Sequence, residues 1–116
     1  MIISFAWTTP ALMAGRKHKT RRSWPESYAK KFHAGQIVDG YDRSPRYGGK
    51  LARKIRLLKD PYQQPTEQMT EQDFEDEGFK WMEEQKMLMR GRSPREFFEE
   101  WKEAGELVWV VEFDPL

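Results

Sequence analysis

The segment Leu107-Val-Trp-Val-Val-Glu-Phe113 does most to limit what this chain can become. β-Branched and aromatic side chains lose rotamer freedom in a helix and pack well on a pleated surface, so these residues predict a closing strand. Ile2–Trp7 is also apolar and aromatic, and it predicts a buried first strand. Between the two lie segments of basic strand character. Gln36–Tyr41 is expected to place Ile37 and Val38 inside. In Leu51–Leu58, Ile55 and Leu57 face one way and Lys54, Arg56 and Leu58 the other. Regular helices of about 10–15 residues do not separate these segments, which disfavours a parallel doubly wound sheet. The expectation is an α+β domain around a small β-barrel, with helices in the connections.

Local signals place those helices. Thr9 is a candidate N-cap with Pro10 at the first helical position, and Gly15 ends the turn. Pro25–Phe32 predicts a short helix with Tyr28 and Phe32 on one side, closed by Gly35. Ser44-Pro45 and Gly48-Gly49 make Asp42–Lys50 a loop, and Asp60-Pro61 with Pro65 breaks regular structure. Thr70 caps an acidic helix, Glu71–Glu77, that stops at Gly78. A further helical segment spans Trp81–Met89, with its Met and Trp residues filling core. Ser93-Pro94-Arg95-Glu96 reads as a capping-box start, after which Phe97, Phe98, Trp101 and Ala104 share one face.

At 116 residues the chain has room for one core, and five Trp, seven Phe and four Tyr supply large side chains to fill it. The absence of cysteine excludes a disulfide framework, a thiolate zinc site and a cysteine nucleophile, and it fits a reducing compartment. No apolar stretch approaches the roughly 20 residues that span a bilayer, and the N-terminus reads as a strand rather than a signal peptide. A cytoplasmic protein without a membrane partner is expected.

Charge is segregated along the chain. Residues 16–59 hold 14 Lys and Arg against 3 Asp and Glu, whereas residues 60–116 hold 6 against 16. A basic block of this kind is a footprint for phosphates. Pairing of the two halves across the fold accounts for it equally well.

Several site types are missing: there is no Gly-rich phosphate loop, nucleophile elbow or His/Asp/Glu cluster at metal spacing, and His18 and His33 stand alone. Neither a metal nor a cofactor is expected. The basic run Arg16–Arg22 is too charged for core, and Thr20 inside it favours an extended conformation with alternate faces. Within it Lys17 and Thr20 stand three apart. A lysine whose pKa is lowered by burial or neighbouring cations can take the proton of a threonine hydroxyl, and Arg16, Lys19, Arg21 and Arg22 are such neighbours. A carboxylic acid is then needed to move protons to a leaving amine, and Glu77 is a candidate. Spacing alone equally describes phosphate contacts in a basic strand.

Ala14-Gly15-Arg16-Lys17-His18-Lys19-Thr20-Arg21-Arg22 resembles the ASCH-domain signature, a Gly-x-Lys-x-x-Thr segment with a following Arg. Phe5–Leu12 is similar to bacterial and phage members, and Phe32-His33-Ala34-Gly35-Gln36-Ile37-Val38 is similar to the family's F-x-x-G-D-x-[VL] pattern, with Gln36 in place of Asp. The closing strand completes a resemblance over about two thirds of the chain. Departures are the added helical stretch at about Lys80–Ala104, His18 after the lysine, and a longer, more basic Ser44–Lys50 loop. The resemblance implies a PUA-like β-barrel over residues 1–116. It implies, by analogy with one branch of small ASCH proteins, an amidohydrolase that removes the acyl group from N4-acetylcytidine-type nucleosides. Thr20 would then be the nucleophile, Lys17 its activating base and Glu77 the acid, with Arg16 or Arg22 facing an oxyanion or a phosphate. Other members resemble RNA binders or ribonucleases. In the binding alternative, Lys17, Arg21, Arg22, Arg43, Arg46, Arg53 and Arg56 contact phosphates of an RNA or modified nucleoside, and Trp7, Tyr41 or Tyr47 stacks a base. A single-stranded RNA ribonuclease is the third expectation.

Overall fold

In chain order the elements are β1 (Ile2–Ser4), α1 (Thr9–Met13), β2 (Lys19–Arg22), α2 (Glu26–Ala29), β3 (Ile37–Tyr41), β4 (Leu51–Leu57), β5 (Tyr62–Pro65), α3 (Glu71–Asp76), α4 (Phe79–Glu84), α5 (Pro94–Ala104) and β6 (Leu107–Pro115). They come from a computed structural model that describes residues 1–116. The strand order is β1-β3-β4-β6-β2, with β5 also paired to β6. Only β1–β3 is parallel. Val110 pairs with both Arg21 and Tyr62, so β2 and β5 occupy opposite edges of β6. The sheet curls into a half-barrel with helices packed in its connections, an α+β architecture. Its two end strands, β1 and β2, are bridged by a side chain: Arg22 Nη2 donates to the Ser4 carbonyl at 2.7 Å.

Inward-facing residues of the curled sheet fill the barrel. Ile3, Val38, Ile55, Leu57, Val111 and Phe113 meet Phe5, Leu12 and Phe32, and Trp24 and Tyr28 close one end. Leu57 and Ile55 face in while Lys54 and Arg56 face out, as the alternation required. A second apolar cluster joins Ala11, Met69 and Phe74 to Phe79, Met82, Met89 and Phe98. The Met residues thus fill core. This cluster seats α4 and α5 against α1 and α3.

Several expectations are corrected. The first strand ends at Ser4 because Phe5 turns into helical backbone and Ala6 takes φ +47°, starting a short 3₁₀ turn over Ala6–Thr8. The N-cap of α1 is therefore Thr8, whose hydroxyl donates back to Phe5 O at 2.8 Å. Ile37 is 47% exposed, since adjacent residues of a strand point to opposite faces and Val38 takes the inner one. β5 was not foreseen: Tyr62-Gln-Gln-Pro is polar and flanked by proline, yet the edge of β6 supplies a ladder for it. α4 begins at Phe79 and stops at Glu84, and Lys86 and Arg90, both at positive φ, turn the chain toward α5. Ala104 is exposed rather than on the buried face of α5. Ser93 does cap α5 through Glu96 N–H. The largest correction concerns Arg16–Arg22, where Lys17, Thr20 and Arg21 are buried.

Candidate functional site

The burial of a basic strand is possible because α3 brings carboxylates to it. Thr70 and Asp73 form a reciprocal capping box at the start of α3, and Glu77 is its C-cap. Asp73 and Glu77 are four residues apart, so both side chains leave the same face of the helical turn. That face meets β2. Arg21 Nη1 donates to Glu77 Oε2 at 2.6 Å, Arg21 Nη2 lies 3.0 Å from Asp73 Oδ1, and Lys19 Nζ lies 2.9 Å from the same oxygen. Gln64 Oε1 of β5 accepts another Arg21 hydrogen bond at 3.0 Å.

Lys17 sits just before β2 and is 1% exposed; Glu77 is 2% and Thr20 3% exposed. The Lys17 amine donates to the Glu77 carbonyl at 2.8 Å and to Glu77 Oε1 at 3.2 Å. The first bond satisfies a carbonyl that the end of α3 would leave free. Burial pushes the Lys17 pKa down to about 8; Glu77 opposes the shift, and Arg22 and Arg21 add to it. Arg21 responds oppositely: although burial lowers its pKa, Glu77 and Asp73 hold it above the usual value. Asp73 is also buried, but hydrogen bonds from Lys19, Thr70 N–H and Arg21 bring its carboxyl down to about 2.

These groups floor a cavity of about 240 Å³. Lys17, Thr20, Arg21, Arg22 and Glu77 form its polar side. Its apolar side is Phe5, Phe79, Met89, Phe97 and Trp101, and Ala6, Trp7 and Thr8 also line it. Trp7 meets Phe97 edge-on at 6.1 Å, and the Arg90 guanidinium lies over the Trp7 ring at 4.6 Å. Lys17 itself faces the Phe79 ring at 6.0 Å.

The site residues read from the sequence therefore divide. Lys17, Thr20, Glu77, Arg21, Arg22 and Trp7 converge on one cavity. Arg16 is exposed outside it and pairs with Glu84 at 3.9 Å. Tyr41, Arg43, Arg46 and Tyr47 belong to β3 and the loop after it, with Tyr47 71% exposed, and none lines the cavity. Asp73 and the aromatic wall from α4 and α5 were missed. The i,i+4 spacing of Asp73 and Glu77 was the available signal for the first, and the shared face of Phe97 and Trp101 for the second. His18 lies 3.9 Å from Asp114 and His33 is exposed, and no three His, Asp or Glu are gathered as a metal site. No helix is long and apolar enough to cross a membrane.

A curled mixed half-barrel with helices in its connections is the architecture of a small α+β barrel. Among solved structures the chain is similar to the crystal structure of protein EF3133 from Enterococcus faecalis V583, family-model DUF984. The two share 20% identity and a TM-score of 0.57 over 96% of this chain and 68% of that one. At that identity the likeness is one of fold. No family model matches the chain, and no curated protein matches it.

Proposed function

We propose that the chain is an amidohydrolase acting on N4-acylated cytosine nucleosides of the N4-acetylcytidine type. The observation that carries this reading is the convergence of Lys17, Thr20 and Glu77 on one half-apolar cavity. At the Lys17 pKa of about 8, about one molecule in ten holds a neutral amine at pH 7. That amine takes the proton of the Thr20 hydroxyl as the oxygen attacks the acyl carbon. The C–N bond then breaks, and the proton passes from Lys17, by way of Glu77, to the departing cytosine amine. Water hydrolyses the threonyl ester, releasing the carboxylic acid and restoring Thr20. The two bonds from Lys17 to Glu77 hold the amine beside that carboxylate, and Arg21 holds Glu77 from its other oxygen.

Chromatography of N4-acetylcytidine incubated with the protein tests this. Release of cytidine is expected, with a loss of at least about 100-fold in Thr20→Ala and Lys17→Met. Failure of the wild type to release cytidine, or unchanged release by both variants, ends the reading.

A second reading, RNA binding, has its own support. Arg43, Arg46, Lys50 and Arg56 form no ion pair, although seven other Lys and Arg of residues 16–59 do, so these four retain charge for phosphates.

A further inference from the structure

The cations on the cavity floor are not equally matched. Lys17 meets Glu77 at 3.2 Å, and Arg21 meets Glu77 at 2.6 Å and Asp73 at 3.0 Å. Arg22 has no carboxylate partner. It donates through Nη2 to the Ser4 carbonyl, its guanidinium lies 5.6 Å from the Phe5 ring centre, and its Nε is buried without a hydrogen-bond partner. Burial pushes its pKa down and Glu77 counters this only through space, yet a guanidinium keeps its proton in any protein setting. The bridge from β2 to β1 engages one end of the fork. Nothing in the fold, or in the proton path through Lys17, Thr20 and Glu77, supplies this half-buried guanidinium with a carboxylate, whereas Lys17 and Arg21 both have one. A partly desolvated cation with no counter-charge favours an anion that completes it.

We propose that Arg22 is an anion receptor, and that the cavity accepts a small planar amide carrying an oxyanionic substituent, a carboxylate or a phosphate, beside its ring. The substituent meets Arg22 while Phe79, Phe97 and Trp101 cover the ring. The volume of about 240 Å³ falls below the roughly 300–1,000 Å³ of sites that enclose drug-sized ligands, so it suits one ring and its substituents rather than a stretch of polymer. A neutral nucleoside leaves Arg22 unmatched. The amide part of this inference rests on the hydrolase reading; the anion preference stands on the charge balance of the cavity and is measured separately.

Trp7 and Trp101 in the wall provide a fluorescence readout. Two matched pairs of probes are titrated: benzoate against benzamide, and cytidine 5′-monophosphate against cytidine. At least one anion is expected to bind about tenfold more tightly than its neutral counterpart, as a charge-assisted hydrogen bond provides. Preference for benzoate alone identifies a carboxylate substituent, and preference for the monophosphate alone identifies a phosphate. Arg22→Gln is expected to erase the preference and Arg22→Lys to keep part of it. If Arg22→Gln does not fold, the wild-type pairs still decide. Equal binding within both pairs overturns the proposal, as does a preference that survives in folded Arg22→Gln. Anion preference without cytidine release from N4-acetylcytidine sinks the hydrolase reading and leaves the receptor; release without anion preference does the reverse.

Discussion

Two acceptors of a single residue hold the Lys17 amine, yet burial outweighs them and carries its pKa from 10.5 down to about 8. This has a consequence for stability. Below pH 8 both folded and unfolded chains carry the proton, and the buried charge weighs against folding. Between about 8 and 10.5 the folded chain has released a proton that the unfolded chain keeps, so the contribution of Lys17 rises with pH. The Tm of the wild type relative to Lys17→Met should therefore climb by at least about 3 °C between pH 7.5 and pH 10. A difference that stays flat or falls would show that Lys17 is not desolvated. Little of this was legible in the chain. Spacing offered Lys17, Thr20 and Glu77 only as one reading beside phosphate contacts in a basic strand, and the resemblance is what gave them roles. The carboxylate partners of Arg21 lie more than 50 residues away, and no local pattern says which carboxylates a strand will meet.

Gly78 joins α3 to α4 at φ +90°, a conformation that side chains rarely adopt. A Cβ there would lie 2.6 Å from the Ala11 Cβ and 3.3 Å from the Lys17 Cβ, so the junction presses against both α1 and the candidate site. Gly78→Ala should cost about 1–3 kcal/mol in urea denaturation, from backbone strain and crowding together. Ala11→Gly in the same chain should recover part of that loss, although alone it weakens α1. Strict additivity of the two changes would refute the close approach. The stop at Gly78 and the caps at Thr70 and Ser93 were legible because each is decided within a few residues. β5 was not, because Tyr62–Pro65 becomes a strand only through the edge that β6 offers it.

Across the molecule, the segregated charges follow both accounts drawn from the sequence, each in a different place. Arg16, Lys17, Lys19, Arg21 and Lys59 pair with carboxylates of the acidic half. Arg43, Arg46 and Lys50 in the β3–β4 connection, and Arg56 near the far end of β4, do not. If these four contact a single strand of RNA, log K should fall with log salt at a slope near −3, at about 0.7 per phosphate. Converting all four to Gln should flatten the slope without changing N4-acetylcytidine turnover, and a slope near zero in the wild type excludes a backbone-binding surface there. The barrel itself was readable because strong strands at both ends of the chain demanded partners; its order was not, since pairing is decided in three dimensions. β6 also imposes a timetable. It leaves the ribosome after every strand that pairs with it, so β2 and β5 wait without a ladder until residues 107–115 emerge. Until then β2 has no strand partner, and the cavity that Lys17, Thr20 and Arg21 line is not assembled.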